Sequence, residues 1–171
     1  MNSLHAERLD PWRWIGAPTL VCLIATLLFA APIRVFGLQL PEPIFPLVPA
    51  FAWAVLRPSI TAPFALLGMG MFLDLVWYNA LGLWSLSLIA AYVTVLISRS
   101  MMTGQSRTMM WVWFASACAV AMAVAYTATV LTFASAPSLV STLWQLLPTV
   151  LLYPFAHRLI ERFEDADVGF R

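Results

Sequence analysis

A chain of 171 residues with 62% hydrophobic residues, 10% charged residues and a net charge of +1 is too apolar to cover its own surface with polar groups. Soluble domains carry about 25% charged residues, so much of this surface must face lipid. All nine basic residues are arginine, and so small a net charge excludes bulk electrostatic attraction to nucleic acid.

The first apolar run covers 14–31 and follows a polar segment, 1–13, that contains Glu7 and Asp10. At 18 residues it is longer than the apolar region of a signal peptide, about 7–15. It therefore reads as an uncleaved first helix. Five more runs follow at 44–56, 59–78, 81–98, 109–134 and 139–155. Each is continuously apolar rather than alternating, which favours helices over the strands of a β-barrel. Six spans of about 20 residues use most of the chain, leaving no room for a second, soluble domain.

The second run is the shortest. Pro41, Pro43, Pro46 and Pro49 crowd its start. Proline lacks an N–H and clashes with the preceding turn, so an irregular or kinked start is expected. Such backbone persists at membrane depth only where protein or water covers it, so this helix should lean on its neighbours. Pro148 and Pro154 predict kinks or a late break in the last helix. The fifth run carries two rows of small residues four apart, Ala115, Ala119, Ala123 and Thr127, then Ala117, Ala121, Ala125 and Thr129. Either row lets another helix approach closely, inside the bundle or from a different protein.

Orientation follows from arginine. With the N-terminus cytoplasmic and six alternating spans, Arg8, Arg13, Arg57, Arg99, Arg107, Arg158, Arg162 and Arg171 fall inside and only Arg34 outside. That is the bias topology follows, and it places both termini in the cytoplasm. The tail HRLIERFEDADVGFR reads as a solvated end; the alternative is a short amphipathic helix with Leu159, Ile160 and Phe163 toward the membrane. Trp12, Trp14, Trp77, Tyr78, Trp111 and Trp113 lie near helix ends, where aromatic belts form. Trp53 and Trp84 suit the interior.

Asp74 is the only charged residue well inside a run. A carboxylate there needs a partner, water or a proton. One reading has Asp74 bond local donors such as Asn79 or the Trp77 indole and stabilise a turn. The other has it face a partner helix or a small cavity, with Arg34 its only outer arginine. No second carboxylate or histidine lies in the runs to form a catalytic pair. His5 and His157 sit in the terminal segments, and no serine has a base beside it. Cys22 and Cys118 read as buried free thiols, without the spacing of a disulfide or metal site. No catalytic, cofactor-binding or metal site is expected.

Residues 46–58, PLVPAFAWAVLRP, are a Pro-led short helix ending in Trp-x-x-x-Arg-Pro. GMGMFLD follows at 68–74, then LG at 81–82 and a helix reading LWSLSLIAAYVTVLISR. Across residues 44–99 this pattern resembles the rod shape-determining protein MreD family. The resemblance implies a multi-pass protein of the bacterial inner membrane that is not an enzyme. It would associate with the bitopic protein MreC and, through it, with actin-like MreB and peptidoglycan synthases. Gly70, Asp74 and Gly82 match the family pattern, and Asp74 would be a structural or partner-facing polar anchor. The Pro-rich second helix fits the family's weak second span, though its proline content is heavier than the pattern and leaves that helix's path open. In architecture the family is similar to the substrate-binding subunits of energy-coupling-factor vitamin transporters. The expected fold is an all-α membrane protein, a compact bundle of six transmembrane helices. The expected function is a non-catalytic scaffold of cell elongation, with candidate contacts at Asp74, Gly70, Gly82, Ala115, Ala119 and Ala123. The rival is a vitamin-binding or other small-molecule subunit of a transporter, which requires a cavity lined by polar groups such as Asp74, Gln145, Tyr92 and Tyr126.

Overall fold

The computed structural model describes residues 12–30, 34–35, 38–39, 41–56, 58–134 and 136–168, with side chains at 12–13, 34–35, 38–39 and 162–168 outside the description. The reading of residues 1–11, including His5, therefore lies outside the described residues. So do the side chains of Arg8, Arg13, Arg34, Arg57, Arg162, Arg171, Trp12 and Phe163.

Continuous apolar sequence gives helix nearly throughout. A π-helical turn, Trp12–Gly16, leads into α1, Ala17–Phe29. Then come α2, Leu47–Leu56; α3, Thr61–Val76; α4, Leu83–Met102; α5, Arg107–Phe133; α6, Leu139–Val150; and α7, Tyr153–Val168. Between α1 and α2 lies a feature the hydropathy pattern did not show. Strand β1, Arg34–Val35, pairs antiparallel with β2, Leu38–Gln39, opposing Arg34 to Gln39 and Val35 to Leu38.

Among the described residues, three helices are long and apolar enough to cross a membrane: Leu83–Met102, Arg107–Phe133 and the joined pair Leu139–Glu161. Trp14–Phe29, Leu47–Leu56 and Thr61–Val76 are apolar but shorter. The outer surface is what a lipid-facing chain needs. Ile60, Leu131, Ile97 and Val140 are each at least three-quarters exposed.

The shortest helix occupies the centre. Leu47 to Ala54 of α2 are all buried, and α2 packs against α4 and α7. A helix apolar on every face is stable only when surrounded by protein or lipid. Here protein surrounds it: Phe51 meets Phe114 of α5 edge-on at 5.3 Å, and the Trp53 indole donates to the Trp14 carbonyl at 3.1 Å. Around α2, helix α4 packs against both α3 and α5.

The prolines leave carbonyls without their usual helical donors, and side chains from elsewhere supply substitutes. Pro49 cannot donate to the Phe45 carbonyl, which accepts from the Cys22 thiol at 3.6 Å and from the Val48 N–H at 3.0 Å. Pro154 cannot donate to the Val150 carbonyl, which accepts from the Trp111 indole at 3.1 Å instead. Between Pro148 and Pro154 the last apolar run breaks at Leu151 and Leu152, then continues as α7. Pro154 stands in the first turn of α7, a position where helices accept proline. The tail is helical as far as Val168, and Ile160, which the amphipathic alternative turned toward the membrane, is buried in the bundle.

Candidate functional site

The turn between α3 and α4 must reverse the chain within six residues, 77–82. Its last residue, Gly82, is left-handed at φ +96°, a conformation that glycine adopts without the steric cost of a Cβ. That geometry points the first N–H groups of α4 back toward α3. Helix starts carry unsatisfied donors that in water would be hydrated. Asp74 satisfies them here. Its Oδ2 accepts the Gly82 N–H at 2.8 Å and its Oδ1 accepts the Trp84 N–H at 3.1 Å. The carboxylate is 1% exposed and caps α4 from eight residues upstream. The positive end of the α4 dipole favours a negative group in this place.

Gly70 supports the same junction one turn below. A Cβ there would lie 2.3 Å from the Ser85 nitrogen and 2.4 Å from its Cα, so only glycine lets α3 and α4 approach this closely. The Ser85 hydroxyl uses that proximity to donate to the Leu67 carbonyl at 2.9 Å. Gly70, Asp74 and Gly82 therefore converge on one helix–helix clasp.

The local donors expected for Asp74 are arranged otherwise. Asn79 donates its backbone N–H to the Asp74 main-chain oxygen at 2.9 Å. The Trp77 indole donates to the Glu42 carboxylate. Arg34 has its side chain outside the described residues. The two small-residue rows of α5 also separate. Ala117, Ala121 and Ala125 are buried in the bundle, whereas Ala115 is half-buried and Ala119, Ala123 and Thr127 are exposed.

Beside the clasp lies a cleft of about 670 Å³, lined from the 41–42 segment, the 77–79 turn, the start of α4, the second half of α5 and the start of α6. Glu42, Asn79, Tyr126 and Gln145 bring polar atoms to it, and Trp77, Trp84 and Trp144 bring rings. Gln145 donates to the Glu42 main-chain oxygen at 3.1 Å, and Trp77 meets Trp84 edge-on at 5.3 Å. Glu42 is inconspicuous in the sequence because it stands in a proline-rich segment between apolar runs. Its only sequence signal is a lone carboxylate framed by Pro41 and Pro43. Of the polar groups expected of a transport cavity, Gln145 and Tyr126 line this cleft; Asp74 and Tyr92 do not.

At the opposite end of the bundle, Glu161 Oε1 lies 3.1 Å from both Arg107 Nη2 and His157 Nε2. Tyr153 donates to the Arg107 carbonyl at 3.0 Å and stacks on His157 at 5.8 Å. Of these, the Tyr153 bond ties α7 to the start of α5, with the exposed Arg107–Glu161 pair beside it, while the His157 contacts lie within α7. Among the described residues no group of three His, Cys, Asp or Glu side chains could hold a metal ion. Comparison with protein-family models, curated proteins and solved structures gives no match.

Proposed function

We propose that this chain is a non-catalytic membrane scaffold of the bacterial cell-elongation machinery. It would cross the inner membrane six times, with both termini in the cytoplasm, in a bundle similar to the substrate-binding subunits of energy-coupling-factor transporters. Its direct partner would be an MreC-like bitopic protein, through which it reaches MreB-like actin and peptidoglycan synthases.

The observation that carries this reading is the clasp. The residues behind the resemblance to the MreD family, Gly70, Asp74 and Gly82, meet at one junction between α3 and α4. Asp74 spends its oxygens on backbone N–H groups, which suits a positioning role better than a reactive one. Partner recognition in lipid then falls to outward helix faces that permit close approach. The exposed row of Ala119, Ala123 and Thr127 on α5 offers such a face. Depletion of the chain from its native bacterium tests the reading: cells should lose their rod shape and round up, and should recover it when the chain is restored. Unaltered shape after full depletion would exclude a role in elongation.

The cleft beside Trp77 favours a second reading, a small-molecule-binding subunit of a membrane transporter. That reading expects cytoplasmic ATPases among the co-purifying proteins.

A further inference from the structure

We propose that the cleft between the 41–42 segment, α4, α5 and α6 is a binding site for a substituted ammonium ion. Glu42 would balance its charge, and the rings of Trp77, Trp84, Tyr126 and Trp144 would hold its hydrocarbon. The inference concerns what the cleft holds and does not rest on the scaffold reading.

The size comes first. A cleft of about 670 Å³ falls within the range of small-molecule sites, about 300–1,000 Å³. It is far too large for a bare metal ion. Charge comes second. Among the described lining residues Glu42 is the only charged side chain, and no arginine or histidine joins it. An anion would be repelled by that carboxylate, and no described lining residue offers a compensating cation. A cation finds an ion-pair partner. Ring chemistry comes third. Indole and phenol faces attract cations through their quadrupoles, tryptophan most strongly, and they accept apolar substituents as well.

The site is also built rather than incidental. The Glu42 carboxylate accepts from the Trp77 indole, and the Glu42 main-chain oxygen accepts from Gln145 Nε2 at 3.1 Å. Trp77 packs edge-on to Trp84 at 5.3 Å. The Trp84 backbone is fixed in turn by Asp74 at 3.1 Å. A continuous series of contacts thus links the α3–α4 clasp to Glu42. An ammonium group could arrive free in solution or on an ethanolamine lipid headgroup, and the chemistry of recognition is the same.

The test uses the full chain in nanodiscs of phosphatidylglycerol, titrated with choline while tryptophan fluorescence is followed. The control probe is 3,3-dimethylbutan-1-ol, which has the shape of choline without its charge. Choline should bind saturably and its neutral counterpart should not. Glu42→Gln keeps an acceptor for Trp77 and should weaken choline binding at least about tenfold, the effect of losing one ion pair of roughly 1.4 kcal/mol. Trp144 is half exposed, so Trp144→Ala should leave folding intact and weaken binding several-fold. Unfolding temperatures confirm that both variants are folded. No saturable choline binding by the unaltered chain, equal binding by folded Glu42→Gln, or equal binding of the neutral probe would each overturn the assignment. Given saturable binding, replacing half of the lipid by phosphatidylethanolamine separates the sources. Competition identifies the lipid headgroup as the occupant, and unchanged affinity identifies a free cation; either is consistent with an ammonium site.

Discussion

The carboxylate of Asp74 accepts the backbone N–H of Gly82 at 2.8 Å, across a turn whose final residue is left-handed. One oxygen thus ends α3 and begins α4. The second oxygen, on Trp84, fixes the direction in which α4 leaves the turn. Removing the carboxylate leaves one buried donor, the Trp84 N–H, and one half-buried donor, the Gly82 N–H, without their acceptor at a helix start. Asp74→Ala should therefore lower stability by about 1–3 kcal/mol, the usual cost of orphaned buried groups. Asp74→Asn keeps one acceptor oxygen but turns an NH₂ toward a donor, so it should fall between Ala and the unaltered chain. Thermal unfolding in mild detergent checks the order.

Gly70 and Gly68 form an internal control. A methyl at Gly70 meets Ser85 backbone at 2.3 Å, whereas a methyl at Gly68 meets nothing within 4 Å. Gly70→Ala should destabilise by about 1–3 kcal/mol or more, since two backbones must part to admit the added carbon. Gly68→Ala should be neutral or stabilise by up to about 1 kcal/mol through helix propensity. Equal effects in the same unfolding assay would show that α3 and α4 do not approach as described.

Trp111 and Pro154 should be coupled. The indole donates to the carbonyl that Pro154 leaves without an N–H, at 3.1 Å. Trp111→Phe should cost about 1 kcal/mol, the net worth of a hydrogen bond. In a Pro154→Ala background that carbonyl regains a backbone donor, so the same change should cost less than half as much. A double-mutant cycle measures the difference.

The thiols should be silent. Cys22 is buried in α1 against the Phe45 carbonyl, and Cys118 is buried in α5. Neither should react with maleimide in the folded protein, and both should react after unfolding in dodecyl sulfate. Mass spectrometry counts the adducts.

The contact between Arg107 and Glu161 should matter little. Their side chains are 69% and 48% exposed, so water and salt screen the pair. Exposed pairs contribute roughly 0–1 kcal/mol. Glu161→Gln should shift unfolding only slightly, and the shift should vanish at high salt.

Hydropathy located helices well where the chain is uniformly apolar, as in α3 and α5. It did worse where helix and apolar run differ in extent. The run ending at Ser98 stops before the helix does, because Arg99 and Ser100 continue α4 to Met102. A long arginine stem lies along apolar surface while its head reaches water, so helix need not end where hydropathy falls. The last run similarly ended at Phe155, whereas α7 runs to Val168. Ile160 is buried in the bundle, so packing supports the helix past the end of the apolar run. At the clasp, sequence singled out Gly70, Asp74 and Gly82 but not the bonds among them. A cap supplied from eight residues upstream depends on the turn's path, which no local pattern encodes. Glu42 was invisible for a related reason: the cleft assembles from segments far apart in the chain, and only the folded bundle brings Glu42 to Gln145.

The central claim is that this chain serves as a scaffold for a single-span partner in cell elongation. Affinity purification of the tagged chain from its native bacterium, after mild solubilisation, tests it most directly. Mass spectrometry should recover an MreC-like bitopic protein together with a peptidoglycan synthase. Recovery of cytoplasmic ATPases with a coupling membrane subunit, and no such bitopic protein, would contradict it.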